Sequence, residues 1–325
     1  MNISYERDFG LNTRHQATDL TRTGERQHYL LGLKRRRKYV TNGNPNEENY
    51  SFLSEKYNPH EMYLESTDRN RTIMSAYSHM HGMYPLEEPT DETEEPIGLF
   101  SGDQLPFDIK DSIYHSLARV YDPYTCPYSY HILKQNYNQS DLDFSSLDYV
   151  QNMINEINEK LDLDEPISTY SQLWDYVDAY EGLSFSLFEG LTPLSEEFEE
   201  RMEDIFYLGL FKTFNKEKLG TLLSSHSYFS LLQILIKSQT NRPHTTSLTK
   251  DLHHIPLTRK YYYFSGHDTS LATYLSALDI TNPKTPPYAS SIVVELHKEQ
   301  QYFVKFLYDD TPLLLGDFCK QNGQC

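Results

Sequence analysis

Apolar residues recur near the start of this chain with the spacings of alternating helices and strands. The spacing predicts a helix over Leu20–Tyr39, which either Thr21 or Thr23 can cap. Glu61–Ser66 alternates apolar and polar residues and predicts a strand, and Asp68–Tyr84 then predicts a helix. A polar segment between the first helix and this strand predicts a loop.

The end of the chain shows the same order of elements. Lys260–Ser265 is a short aromatic run that predicts a buried strand, and Gly266 ends it. Asp268–Leu278 has apolar residues at helical spacing and predicts a helix. Tyr288–His297 and Gln301–Tyr308 predict two strands of a hairpin.

The middle of the chain is mainly helical in pattern, and Ile113–Val120 fits a strand or a helix equally well. The clearest predicted helices are Leu147–Leu161, Thr169–Tyr180, Pro193–Leu210 and Tyr228–Lys237. This order predicts an α/β core with a helical insertion. We place the first part of the core at residues 1–100, the helical cap at 101–245 and the second part of the core at 246–325.

The formal net charge is −18, which opposes a general affinity for nucleic acid because its phosphates would be repelled. The exception is the basic run Lys34–Lys38, which we interpret as the solvated C-terminal end of the first helix, with a localisation or nucleic-acid patch as the alternative. No stretch approaches the roughly 20 apolar residues that span a bilayer. The polar residues 1–15 contain no apolar signal-peptide core.

The chain has three cysteines. Cys319 and Cys325 enclose a short loop with Asn-Gly turn residues, which favours a small disulfide over a metal site, since no nearby His or Cys completes a tetrahedral set. Cys126 is then left over.

Two predicted strand-to-helix junctions carry the residues best suited to chemistry. In the first, Arg71 lies in the opening turn of a helix, where a cation opposes the helix dipole. This placement makes sense if the guanidinium meets an anion such as phosphate, and the alternative is a structural ion pair with Asp68.

The second junction contains His267 and Asp268 directly after the aromatic strand. A histidine there can hydrogen-bond a phosphoryl oxygen, and an aspartic acid can protonate a leaving-group oxygen. The alternative is a helix N-cap beside a bystander histidine. Ligands of open α/β sheets bind at such strand ends, so both junctions are candidates for one site.

Four strings occur in order: LTRTGERQHYLLG, ESTDRNRTIMSA followed by MHGMYP, YFSGHDTSL and PPYASSIVVELH. Together they resemble the histidine acid phosphatases. The resemblance implies an α/β, phosphoglycerate mutase-like three-layer sandwich with an inserted helical cap. It also implies hydrolysis of phosphate monoesters at acidic pH through a phosphohistidine intermediate, with no cofactor and no metal.

The resemblance assigns roles to the two junctions. Arg71 falls on the family's STDxxRT motif and should grip the phosphoryl oxygens. His267 falls on its HD motif and should also contact phosphate, and Asp268 should protonate the leaving alkoxide. The expected partner is a small phosphorylated substrate, with no nucleic acid and no membrane span. A homodimer is one option that the sequence does not decide, and a secreted or lysosomal (vesicular) location is implied.

The sequence departs from the family in one respect, since the RHGxRxP motif that carries the nucleophilic histidine does not occur. Arg14-His15-Gln16 lacks the glycine and has no apolar strand before it. We therefore expect Met1 to lie inside the loop that follows that motif, with the first, central strand missing. The family's counterpart of Cys126 pairs with a cysteine beyond the small C-terminal loop, so that end is expected to be incomplete too. A non-catalytic phosphate-binding relative is the main alternative, and a phytase-like or mutase-like specificity is a lesser one.

Overall fold

A computed structural model describes residues 19–41, 51–85, 108–110, 127–160, 165–173, 200–202, 204–205, 208, 229–240, 255–280 and 286–315. Contacts group the chain into two compact units. One unit contains both β-sheets, and the other is built mainly from helices. The three sequence segments predicted above, divided at residues 100 and 245, stay a prediction.

The helices are α1 (Arg22–Arg36, continued by a π-helical turn, Arg37–Thr41), α2 (Asn70–Met83), α3 (Pro127–Ser145), α4 (Asp148–Lys160), α5 (Ser230–Gln239) and α6 (Asp268–Ala277). The strands are β1 (Met62–Thr67), β2 (Asp108–Lys110), β3 (Tyr261–Ser265), β4 (Ile292–Lys298), β5 (Tyr302–Tyr308) and β6 (Thr311–Pro312). The mixed α/β class with a parallel sheet is thus confirmed.

Most predicted boundaries hold to within a few residues, and Thr21 caps α1 by accepting the N–H of Gly24 at 3.0 Å. Helix α3 was not predicted individually, because its sequence has no clear apolar stripe. The segment 113–120 lies outside the described residues. So do most of the two helices predicted over Thr169–Tyr180 and Pro193–Leu210, of which only short helical pieces are described.

Strand β1 is the centre of a three-stranded parallel sheet with the order β2-β1-β3. Its residues are buried along their whole length, as expected for a parallel strand covered on both faces. Met62 and Leu64 pack against Met80 and Met83 of α2, whereas Tyr63 packs on the opposite side against Leu231 of α5. Helices therefore cover both faces of this sheet.

Strands β4, β5 and β6 form a second, antiparallel sheet, and β4 and β5 are the predicted hairpin. Within the part of the chain that the structure describes, β3 pairs only with β1 and β4 pairs only with β5. The prediction that β3 is buried was wrong for most of the strand, since only Ser265 is buried and the four aromatic residues before it are half-buried. These aromatic side chains pack against the apolar clusters on the two faces of the sheet without being fully covered by them.

The basic run Lys34–Lys38 lies at the C-terminal end of α1, as predicted, but its centre is not solvated. Arg35 is 2% exposed; it pairs with Asp310 and donates to the hydroxyl of Ser291 at 3.0 Å. Arg36 is also buried and donates to the carbonyl of Met83 at 3.0 Å. These arginines fasten α1 to the β4–β5 hairpin and to the end of α2, and burial of a charge requires such partners.

The helical unit has its own apolar core, to which α4 contributes Val150, Met153 and Ile157. The Asn158 side chain donates to the carbonyl of Ile167 at 2.7 Å and accepts the N–H of the same residue at 2.9 Å. Among the described residues, no helix has the length and apolar character needed to cross a membrane.

Helices α1 and α2 cross in backbone contact at Gly32 and Gly82. A Cβ atom on Gly82 would overlap the carbonyl oxygen of Tyr29, and one on Gly32 would overlap that of His79. Neither oxygen belongs to a flexible side chain that could turn away, so the two helices must separate to admit a methyl group.

We expect Gly82→Ala to destabilise the protein by about 1–3 kcal/mol, although alanine favours a helix more than glycine does. Gly24→Ala is the matched control, because its Cβ would meet side-chain atoms and no backbone, namely Leu20 at 2.6 Å and Thr21 Oγ1 at 3.5 Å. Urea unfolding of both variants measures the difference. Equal midpoints for the two variants would show that the helix contact is not close.

Two histidines of this helix pair have buried ring nitrogens with no hydrogen-bond partner among the described residues. Both nitrogens of His79, which is 2% exposed, and Nδ1 of His28 are buried and have no partner. The His79 ring stacks on Tyr263 with 4.6 Å between centroids. Burial lowers the pKa of His28 to about 4, and burial, His28 and Arg35 hold the pKa of His79 well below its usual value.

Both groups stay neutral in the folded state, whereas in the unfolded chain they bind protons below about pH 6.5. Stability that is present above pH 6.5 is therefore lost as the pH falls toward the folded pKa values. We expect His79→Phe to reduce the loss of unfolding free energy between pH 7 and 5 by up to about 2 kcal/mol. Urea titrations at both pH values test this, and parallel losses in variant and wild type would refute it.

Candidate active site

The candidate site lies where β1 and β3 end side by side. Their parallel pairing runs from Met62 opposite Tyr261 to Ser66 opposite Ser265. Since the strands are parallel and in this register, Thr67 and Gly266 leave the sheet at the same edge. Helices α2 and α6 then begin within three residues of the strand ends. Both junctions predicted from the sequence are therefore neighbours.

The first junction turns from β1 into α2 through Asp68 and Arg69. The carbonyl of Arg69 accepts the first helical bonds, from the backbone N–H groups of Thr72 at 3.1 Å and Ile73 at 3.0 Å. Arg71 is the second residue of α2 and is half-buried, and the first turn contains no acidic residue. The prediction that Arg71 lies in the opening turn of a helix is confirmed.

The second junction turns from β3 into α6 at an exposed glycine, Gly266. The carbonyl of His267 accepts the N–H groups of Ser270 at 3.0 Å and Leu271 at 3.2 Å, so His267 occupies the N-cap position. Asp268 is the first residue of α6, and its Oδ1 accepts the backbone N–H of Thr269 at 2.7 Å. His267 and Asp268 are both half-buried.

Three hydroxyl groups join the two junctions. Ser265 donates to the carbonyl of Thr72 at 2.7 Å. The Oγ1 of Thr67 lies 2.7 Å from the Oγ1 of Thr72 and 3.2 Å from Nε2 of His267. The end of β1, the start of α2 and the start of α6 are thereby fixed to one another.

The site has a buried polar floor and half-buried side chains above it. Ser66, Thr67, Thr72 and Ser265 are each at most 6% exposed. Sequence reasoning gave none of these hydroxyl residues a role. The available signal was the hydroxyl side chains at the ends of both strands, Ser66 and Thr67 in β1 and Ser265 in β3.

Helix N-termini suit anions, because their free N–H groups and dipoles present positive charge. Two such termini start at this edge, and one of them carries a guanidinium that can bond two phosphate oxygens at once. No group of His, Cys, Asp or Glu side chains in the described chain is arranged to hold a metal ion. The three cysteines lie outside the described residues.

The family model of the histidine phosphatase superfamily (branch 2) matches residues 4–309. The chain belongs to this superfamily. The match covers most of the sequence and includes both junctions, so the resemblance drawn from four short strings is confirmed.

Curated relatives of this superfamily member are acid phosphatases. The lysosomal acid phosphatase of Xenopus laevis is 27% identical over 287 residues, which cover 86% of this chain and 58% of that protein. The human prostatic acid phosphatase is 25% identical over 293 residues, which cover 89% of this chain and 68% of that protein. The chain thus matches about three fifths to two thirds of these relatives' lengths.

Among solved structures, the phytase of Citrobacter braakii superposes with a TM-score of 0.60 at 14% sequence identity. The superposition covers 98% of this chain and 89% of the phytase. This likeness supports the fold, which is that of the phosphoglycerate mutase-like histidine phosphatases.

Proposed function

We propose that this chain binds small phosphate monoesters at the joined junctions and acts in their hydrolysis at acidic pH. The observation that carries the proposal is the contact between Thr67 and His267, because it brings the two motifs predicted from distant parts of the sequence to one edge of one sheet. The names of the relatives in the family support the same reaction.

Binding of the phosphoryl group rests on Arg71 and His267. The fork of Arg71 would hold two phosphoryl oxygens, and the imidazole of His267 would donate to a third. The net charge of −18 repels anions at long range, so the local positive charge of the guanidinium and the two helix N-termini has to prevail at the site.

Asp268 is the proposed general acid. It directly follows His267 and is the first residue of α6. A phosphoryl group held by the imidazole would therefore have its ester oxygen near the Asp268 carboxyl group. Protonation by Asp268 would let the ester oxygen leave as an alcohol once a nucleophile takes the phosphoryl group. The covalent step of the family needs the histidine of RHGxR, which does not occur in this sequence.

The absence of that motif favours a second candidate function, non-catalytic binding of phosphorylated ligands through Arg71 and His267. Relatives named lysosomal support a lysosomal location for either function, and the secreted location stays a prediction. The two functions share the binding site and differ only in turnover.

An inorganic phosphate titration by calorimetry tests the shared site. We expect Arg71→Gln to weaken phosphate binding about 10- to 100-fold, since a charge-assisted bond contributes roughly 1.5–3 kcal/mol. Arg69→Gln is the matched control, because it removes the same charge two residues earlier from an exposed side chain. Equal affinities of the two variants would remove Arg71 from the site.

Hydrolysis of an aryl phosphate at acidic pH separates the two functions. Turnover that Asp268→Asn abolishes, with phosphate affinity unchanged, supports the hydrolase. Phosphate binding without turnover supports the non-catalytic protein. A chain that neither binds phosphate nor turns over the ester contradicts both.

A further inference from the structure

The hydroxyl groups of Thr72 and Thr67 and a ring nitrogen of His267 form a row of hydrogen-bonded atoms. The Oγ1 atoms of the two threonines lie 2.7 Å apart, and Nε2 of His267 lies 3.2 Å from Thr67 Oγ1. Each hydroxyl has a single hydrogen to donate, so the direction of one bond in this row constrains the next.

The hydrogen of Thr72 has three acceptors within reach. Thr67 Oγ1 is the nearest at 2.7 Å, followed by the carbonyl of Arg69 at 2.9 Å and that of Thr67 at 3.2 Å. The Arg69 carbonyl already accepts two backbone N–H groups, from Thr72 and Ile73. A carbonyl has two lone pairs, so the Arg69 acceptor is full. The Thr67 carbonyl is farther from Thr72 Oγ1 than Thr67 Oγ1 is, and it already accepts the hydroxyl of Ser66 at 3.0 Å. Thr72 therefore donates to Thr67 Oγ1.

The hydrogen of Thr67 is then available for Nε2 of His267. A nitrogen that accepts a hydrogen bond carries no proton, so the neutral imidazole has its proton on Nδ1. Thr67 is a buried residue, 2% exposed, so water has little access to this bond.

We propose that Thr67 is a positioning residue that holds neutral His267 as its Nδ1–H tautomer. This inference rests on the proposed function for its purpose, because the Nδ1–H is the donor that the imidazole would offer to a phosphoryl oxygen. Thr67 itself contacts the ring and not the substrate. A histidine whose second nitrogen is bound in this way keeps its ring orientation while the other nitrogen acts.

The same hydroxyl pair can follow the ring when it gains a proton. The imidazolium donates from both nitrogens, so Thr67 must then accept from Nε2. Its own hydrogen can turn to Thr72 Oγ1 if the Thr72 hydrogen turns to the Thr67 carbonyl at 3.2 Å. The ring therefore keeps its partner in both protonation states.

The test is long-range ¹H–¹⁵N NMR of the full chain with ¹⁵N-labelled histidine, recorded well above the usual histidine pKa of about 6.5. The signals of His267 are those missing in His267→Gln. We expect a protonated, pyrrole-type Nδ1 and an unprotonated, pyridine-type Nε2. A protonated Nε2 in the wild type overturns the proposal directly.

Two variants separate positioning from simple support of the fold. Thr67→Val keeps the shape but removes the hydroxyl, and we expect the Nδ1–H preference to be lost and phosphate affinity to fall about tenfold, the usual order for one hydrogen bond to a charged group. Thr67→Ser restores the hydroxyl and should restore both the Nδ1–H preference and the phosphate affinity. An unchanged tautomer in Thr67→Val, or no rescue by serine, contradicts the proposal.

The tautomer readout needs neither turnover nor phosphate. If the proposed phosphatase function fails while the wild type shows Nδ1–H and the variants behave as stated, the positioning role stands without that function. If phosphate binds but Nε2 is protonated, the function stands and the positioning role fails.

Discussion

The parallel pairing of β1 with β3 is the constraint on which the site depends. Ser66 lies opposite Ser265, so both strands end at the same level and both following helices start at one edge. A shift by one residue would turn every β3 side chain to the other face and move His267 away from Thr67. The register is held from within by the apolar core around Met62, Leu64 and Tyr261, and at its end by the bond from Ser265 to the Thr72 carbonyl.

Helices α1 and α2, which lie behind the site, pack closely against each other. Their buried histidines have few hydrogen-bond partners among the described residues. Helices α1 and α2 touch through glycines, and neutral His79 stacks on Tyr263 of β3. Tyr39 then spans from β3 to the second sheet, with its ring 5.8 Å from that of Tyr261 and its hydroxyl 2.5 Å from Glu295. The proposed function at acidic pH would require this layer to stay folded as its neutral histidines become costly, so the stability of the helix pair and that proposed pH range oppose each other.

The sequence was sufficient for the elements that frame the two junctions, but it did not predict β2, α3 or β6 individually. The spacing of apolar residues, together with the turn residues, located β1, α2, β3 and α6 to within two residues. This spacing changes sharply where a strand gives way to a helix. They did not reveal that Thr67 and Thr72 join the junctions, since a threonine's partners depend on packing between residues about 200 positions apart. Burial of Arg35 was also missed, because a basic run on a helix is ordinarily solvated and its partner Asp310 is remote in sequence. The half-burial of β3 depends on how much packs over its two faces, which an aromatic run does not encode.

The central claim is that Arg71 and His267 act on one anion. A double-mutant cycle on inorganic phosphate affinity, with Arg71→Gln, His267→Asn and the double variant, tests it most directly. Groups that share one phosphate should show a coupling free energy of about 0.5–3 kcal/mol and a stoichiometry of one. Losses that add to within about 0.3–0.5 kcal/mol, or two phosphates bound per chain, would contradict a single site at the joined strand ends.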